Sequence, residues 1–109
     1  MSFSVDFFMK VIVTEQPCGY KSEVIAKKID RGVKIEIFSE CEDVSKFGKV
    51  LPILSAKDVL TRIPENIVYR KANLRHSTCI IPWVVLKAAE IELELNVKKL
   101  PRMEIEDDF

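Results

Sequence analysis

Between Val33 and Phe38 the chain alternates apolar and charged residues, Val33-Lys34-Ile35-Glu36-Ile37-Phe38. A period of two puts one set of side chains on a buried sheet face and leaves the other in water, so the run reads as a strand. Ser22-Glu23-Val24-Ile25-Ala26-Lys27-Lys28-Ile29 precedes it, and Asp30-Arg31-Gly32 between them is a turn signal; the two runs are expected to form a hairpin. An earlier strand is expected from about Phe7 to Thr14, ended by Glu15-Gln16-Pro17 because Pro17 has no N–H for a ladder. Met9-Lys10-Val11-Ile12-Val13 reads like the natural beginning of a protein, which makes residues 1–8 an apolar N-terminal extension.

After the hairpin the period lengthens. Val44, Phe47, Val50 and Leu51 have helical spacing, with Glu42 and Asp43 where a helix start favours negative charge, and Pro52 stops the run. Ser55-Ala56-Lys57-Asp58 resembles a capping box with Asp in place of Glu and opens a second short helix through Val59, Leu60 and Ile63 to Pro64. Ile67 to Ala72 fits a strand or a helical turn equally well, and Arg75 to Cys79 reads as loop. The strongest helical pattern runs from about Ile81 to Leu95, with Thr78 or Cys79 as cap, Pro82 in the first turn and Trp83 as an anchor to the sheet. Met103-Glu104-Ile105 alternates and is expected to add an edge strand, with Asp107-Asp108 a solvated tail. The fold class is α+β: a single domain over residues 1–109 with a small antiparallel sheet and helices packed on one face.

Composition narrows the functional classes. The 109 residues are 48% hydrophobic, enough for one core, and 17 basic side chains balance 17 acidic ones. That neutrality lacks the basic excess of nucleic-acid binders. No apolar run approaches the roughly 20 residues that span a bilayer, and the start lacks a signal-peptide pattern, so the expectation is a cytoplasmic protein without a membrane segment. A polar set rich in Lys and Glu with a single glutamine, Gln16, is the bias of thermophile proteins.

Cysteine use is the most informative part of the composition. Three cysteines cannot all pair within one chain, which argues against a disulfide framework and for free thiols. Cys18 lies in the turn before the hairpin, Cys41 where the hairpin feeds a helix, and Cys79 just before the last helix, three residues after the chain's one histidine, His76. Turns and helix starts at one end of a sheet are where such groups converge. Backbone N–H groups at a helix start are also expected to favour the Cys79 thiolate, the form that binds metal or attacks substrate. Three thiolates and one imidazole make the four soft donors that zinc or an iron–sulfur centre accepts. There is no Cys-x-x-Cys knuckle, and Cys41 and Cys79 as small buried residues beside an exposed His76 is the bland alternative. Tyr20, next to Cys18, is placed to line a cofactor site. Lys27-Lys28 and Lys98-Lys99 adjoin no Gly-rich loop and read as solvated faces, and no Ser-His-Asp triad stands out.

Pro17-Cys18-Gly19-Tyr20, Ser39-Glu40-Cys41-Glu42 and His76-Ser77-Thr78-Cys79-Ile80-Ile81-Pro82 resemble a small uncharacterised family of anaerobic archaea and bacteria, with the pattern Cys-Gly-Phe, Ser-Asp-Cys and His-x-x-Cys-Pro-x-Pro over nearly the whole chain. Here Ile80 stands for the Pro after the third Cys, and Glu40 for Asp. The resemblance implies a shared site and no assigned activity. In motif order the chain more loosely resembles the iron–sulfur scaffold proteins of the IscU and NifU N-terminal type: a Cys-Gly before a hairpin, a Cys where it enters a helix, a His-Cys pair before a long helix. Tyr20 takes the place of the scaffold's Asp, and His76 precedes Cys79 by three residues instead of one. That resemblance implies an IscU-like two-layer plan and a cluster or metal site.

The reading that follows is a carrier, scaffold or accessory protein binding zinc or an iron–sulfur cluster through Cys18, Cys41, His76 and Cys79, with Tyr20 beside the cofactor and a protein partner for metal or cluster transfer. A non-enzymatic interaction module with buried structural cysteines, a homodimer through an exposed sheet edge or the N-terminal extension, is the alternative. A thiol enzyme with Cys79 as nucleophile and His76 as base is the third.

Overall fold

The computed structural model describes residues 8–107. Three strands, β1 (Met9–Val13), β2 (Ser22–Ile29) and β3 (Gly32–Ser39), form an antiparallel sheet in the order β1-β2-β3. The alternation of the sequence fixes the register. Val11 pairs with Val24 and Val24 with Ile37, so these apolar residues share one face, while Lys10, Ile12, Glu36 and Phe38 are exposed on the other. Across that outer face Lys10 Nζ meets Glu23 Oε1 at 3.0 Å.

Helices α1 (Glu42–Val50), α2 (Ala56–Leu60), α3 (Ile67–Lys71) and α4 (Ile81–Glu92) follow. α1 packs against β3, and α4 lies mainly against β2 with further contact to β1. Val24, Val33, Leu54, Val68, Ile81 and Val85 are fully buried between the layers, and Ala88 and Ala89 let α4 approach the sheet closely. Ile37, Trp83, Leu86 and Leu93 are partly buried against this core.

Element ends depart from the pattern for identifiable reasons. β1 spans Met9–Val13, shorter than Phe7 to Thr14; Phe7 lies outside the described residues. The ambiguous stretch after Asn66 is helical, because the Asn66 side chain accepts the Val68 N–H and starts the turn. Ser55 and Asp58 do form the reciprocal capping box, with Asp58 N donating to Ser55 Oγ at 3.1 Å and Ser55 N to Asp58 Oδ2 at 3.0 Å. The helix it opens ends at Leu60, well before Pro64. Neither Thr78 nor Cys79 caps α4: the cap position is Ile80, without a side-chain bond. α4 stops at Glu92 because Glu94 adopts a left-handed φ of 59°, with Glu94 N bonded to Ile91 O at 3.0 Å and Leu95 N to Glu90 O at 2.8 Å. Glycine usually fills that position, and its absence here hid the stop from the sequence. The expected strand at Met103–Ile105 does not form; Ile105 is 92% exposed. No helix among the described residues is long and apolar enough to cross a membrane.

Candidate thiol-lined site

The ends of β2 and β3 that carry Ser22 and Ser39 set the place of the site. These two residues are cross-strand partners, so the chain entering β2 and the chain leaving β3 emerge side by side. Cys18 lies in the turn before β2, closed by Gly19 N donating to Gln16 O at 2.8 Å, with Gly19 at a φ of 84°. Cys41 is the N-cap residue of α1, its carbonyl accepting from Ser45 N at 2.9 Å. Cys79 and His76 come from the loop leading to α4, where Cys79 N donates to His76 O at 3.1 Å.

Cys18, Tyr20, Cys41, His76 and Cys79 all line one cavity of about 490 Å³. Val44, Leu74 and Ile80 supply apolar wall, and Gln16, Ser22, Asp43 and Arg75 bring polar groups. Arg75 Nε stands 3.7 Å from Asp43 Oδ2, an ion pair linking the His76–Cys79 loop to α1. The motifs pointed to the five residues named from the sequence. Gln16, Ser22 and Arg75 were missed; a lone glutamine, a strand serine and a loop arginine carry no signature, and only the folding of the chain brings them there.

All three thiols are free. Cys18 is exposed, and Cys41 and Cys79 are half-buried, packed against the edge of the core. Among the described residues, no group of three or more His, Cys, Asp or Glu side chains is gathered closely enough to hold a metal ion as it stands.

Cys79 corrects a second expectation. Its thiol is pushed above the ordinary cysteine range, first by burial, which disfavours the charged form, and further by the negative charges of Cys41 and Cys18; the backbone N–H of Ile81 opposes this and does not win. The expected lowering of the Cys79 thiol by the start of α4 is therefore outweighed by burial and by the neighbouring thiols. We expect the pH midpoint of Cys79 alkylation by iodoacetamide to lie above that of a cysteine in an unstructured peptide. A midpoint below the peptide's would mean that the helix start governs this thiol. Because the folded chain holds the Cys79 proton more tightly than the unfolded chain, the resulting stability is fully present below the ordinary cysteine pKa and is lost as pH rises through the raised one.

No curated protein and no solved structure matches the chain. A family model does match, over residues 9–105, from the first residue of β1 through α4 and into the segment after it. The chain belongs to that family, the family of unknown function DUF6951.

Proposed function

We propose that the thiol-lined cavity is a soft-metal site, taking zinc or an iron–sulfur centre on Cys18, Cys41 and Cys79 with His76 as the fourth donor. In this reading the chain works as a carrier, scaffold or accessory protein that passes its metal to a partner. One observation carries it: three thiols and the chain's one histidine, spread from residue 18 to residue 79, line a single cavity. Three thiols and an imidazole facing one cavity are a donor set that suits a thiophilic ion. The order of the motifs along the chain, like that of the iron–sulfur scaffolds, supports the same reading.

The openness of the arrangement favours a labile site over a structural staple. Cys18 and His76 are exposed on turns, where backbone adjustment is easy, whereas Cys41 and Cys79 adjoin the first turns of helices packed on the core. The chain's part is to present the donors, keep Tyr20 and the apolar wall around them, and admit a partner through the exposed side. A bound metal would contribute thiolate and imidazole coordination there and lower the proton affinity of its ligands.

Aerobic and anaerobic purification of the full chain with elemental analysis tests this. Wild type is expected to carry zinc, or iron with sulfide, and Cys41→Ser and Cys79→Ser to lose most of it. Because Val24, Val33 and Val85 are fully buried in a core built without the thiols, chelation should strip the metal and leave the helical circular dichroism signal in place. Metal-free wild type under both regimes would overturn the metal reading; collapse of the helix signal on chelation would make the site structural and the carrier reading wrong.

A further inference from the structure

Ser22 is 1% exposed on the sheet face that meets the helices, an odd place for a hydroxyl. A buried hydroxyl is costly unless it is bonded, and replacing a bonded pair by two apolar groups is nearly neutral for stability. A hydroxyl pair here therefore contributes direction more than stability. Ser22 Oγ and Ser39 Oγ lie 2.8 Å apart across the strands. Ser39 then holds α1 twice: its Oγ accepts the Cys41 N–H at 3.0 Å, and its carbonyl accepts the Ser45 hydroxyl at 3.0 Å.

The chain of bonds continues to the Cys18 turn. Gln16 Nε2 donates to Tyr20 O at 2.8 Å and, more weakly, to Ser22 Oγ at 3.5 Å, while Gln16 O accepts the Gly19 N–H. Beyond the strand ends Lys21 N donates to Glu40 Oε1 at 2.8 Å, and Glu40 N donates back to Lys21 O at 3.2 Å. One continuous set of hydrogen bonds thus joins the segment carrying Cys18 to the segment carrying Cys41. Cys79 arrives on a loop tied to α1 by the Arg75–Asp43 ion pair, at 3.7 Å.

We propose that Ser39, backed by Ser22 and Gln16, is the positioning residue of the thiol site, holding Cys41 in a set relation to the Cys18 turn so that the loop bearing Cys79 closes on a prepared half. Its effect on affinity rests on the metal-site reading; its effect on the Cys41 backbone does not.

The full chain, kept anaerobic, is titrated with cobalt(II) alone, and amide exchange at Cys41 is followed in the metal-free protein. Ser39→Ala is expected to weaken cobalt binding by about 10- to 100-fold, with a loss of thiolate-to-cobalt absorption. It should also speed Cys41 exchange by about tenfold, the equivalent of one hydrogen bond. Ser39→Thr, which keeps the hydroxyl, should restore both. If Ser39→Ala does not fold, Ser22→Ala carries the test, because it leaves the Ser39 bond to Cys41 but removes its backing, and a smaller acceleration is expected. Cys41 exchange unchanged by the variant that folds, or not rescued by threonine, overturns the positioning role. Wild type that takes up no cobalt overturns the metal reading instead, and Cys41 exchange still decides the positioning.

Discussion

Gly32→Ala is expected to destabilise the domain by about 3–5 kcal/mol, a large share of the roughly 5–15 kcal/mol that holds a typical domain together. Two effects add. Gly32 has a φ of 145°, which an L side chain rarely adopts, and a Cβ built there runs into the backbone carbonyl of Leu54. That carbonyl is not free to retreat. Leu54 O accepts from Val33 N at 2.8 Å and Leu54 N donates to Val33 O at 2.9 Å, while the Leu54 side chain is fully buried. Moving it breaks the bridge that ties the α1–α2 connection to the edge of β3. Gly19 is the control. It also has a positive φ, 84°, but a Cβ there meets nothing within 4 Å, so Gly19→Ala should cost only about 1–2 kcal/mol of backbone strain. Urea unfolding of both variants checks this, and Gly32→Ala no more harmful than Gly19→Ala would refute the close-approach argument.

Asn66→Ala should be nearly as damaging, at about 2–4 kcal/mol. Asn66 is 1% exposed, and its side chain is fully used. Oδ1 accepts the Val68 N–H at 3.0 Å and caps α3, while Nδ2 donates to Thr61 O at 2.8 Å and Asp58 O at 3.2 Å, holding the end of α2. Truncation removes a cap worth about 1 kcal/mol and leaves carbonyls without a donor at about 1–3 kcal/mol. Asn66→Asp separates the two parts. It keeps the cap acceptor but sets a carboxylate oxygen against the carbonyls, so it should remain strongly destabilised. A thermal melt in which aspartate restores wild-type stability would show that the cap alone matters. Because α2 and α3 both pack on α4, loss of Asn66 is also expected to loosen their packing on that helix.

The hairpin, α1 and the middle of α4 were legible because each has a periodic apolar face that only one secondary structure buries. The capping box at Ser55 was legible for a related reason: both halves of the interaction lie within four residues. What failed was set by distant or unusual backbone partners. Glu94 ends α4 in a left-handed conformation that its side chain does not announce, and Met103–Ile105 alternates but does not pair with the sheet, leaving Ile105 exposed.

The same division runs through the candidate site. The residue types and their positions at element ends belong to the sequence, as does the parity of β2 and β3 that makes the segments bearing Cys18 and Cys41 neighbours. The tertiary structure decided the rest. It brought the loop with His76 and Cys79 to the same cavity as the hairpin end, placed Gln16, Ser22 and Arg75 around it, and buried Cys79 enough to raise its thiol where a helix start alone would have lowered it. Local pattern specifies which groups a segment carries and which face they occupy. How much water each group keeps, and which charges it meets, depends on segments far away in the chain, and those two quantities govern the chemistry of a thiol.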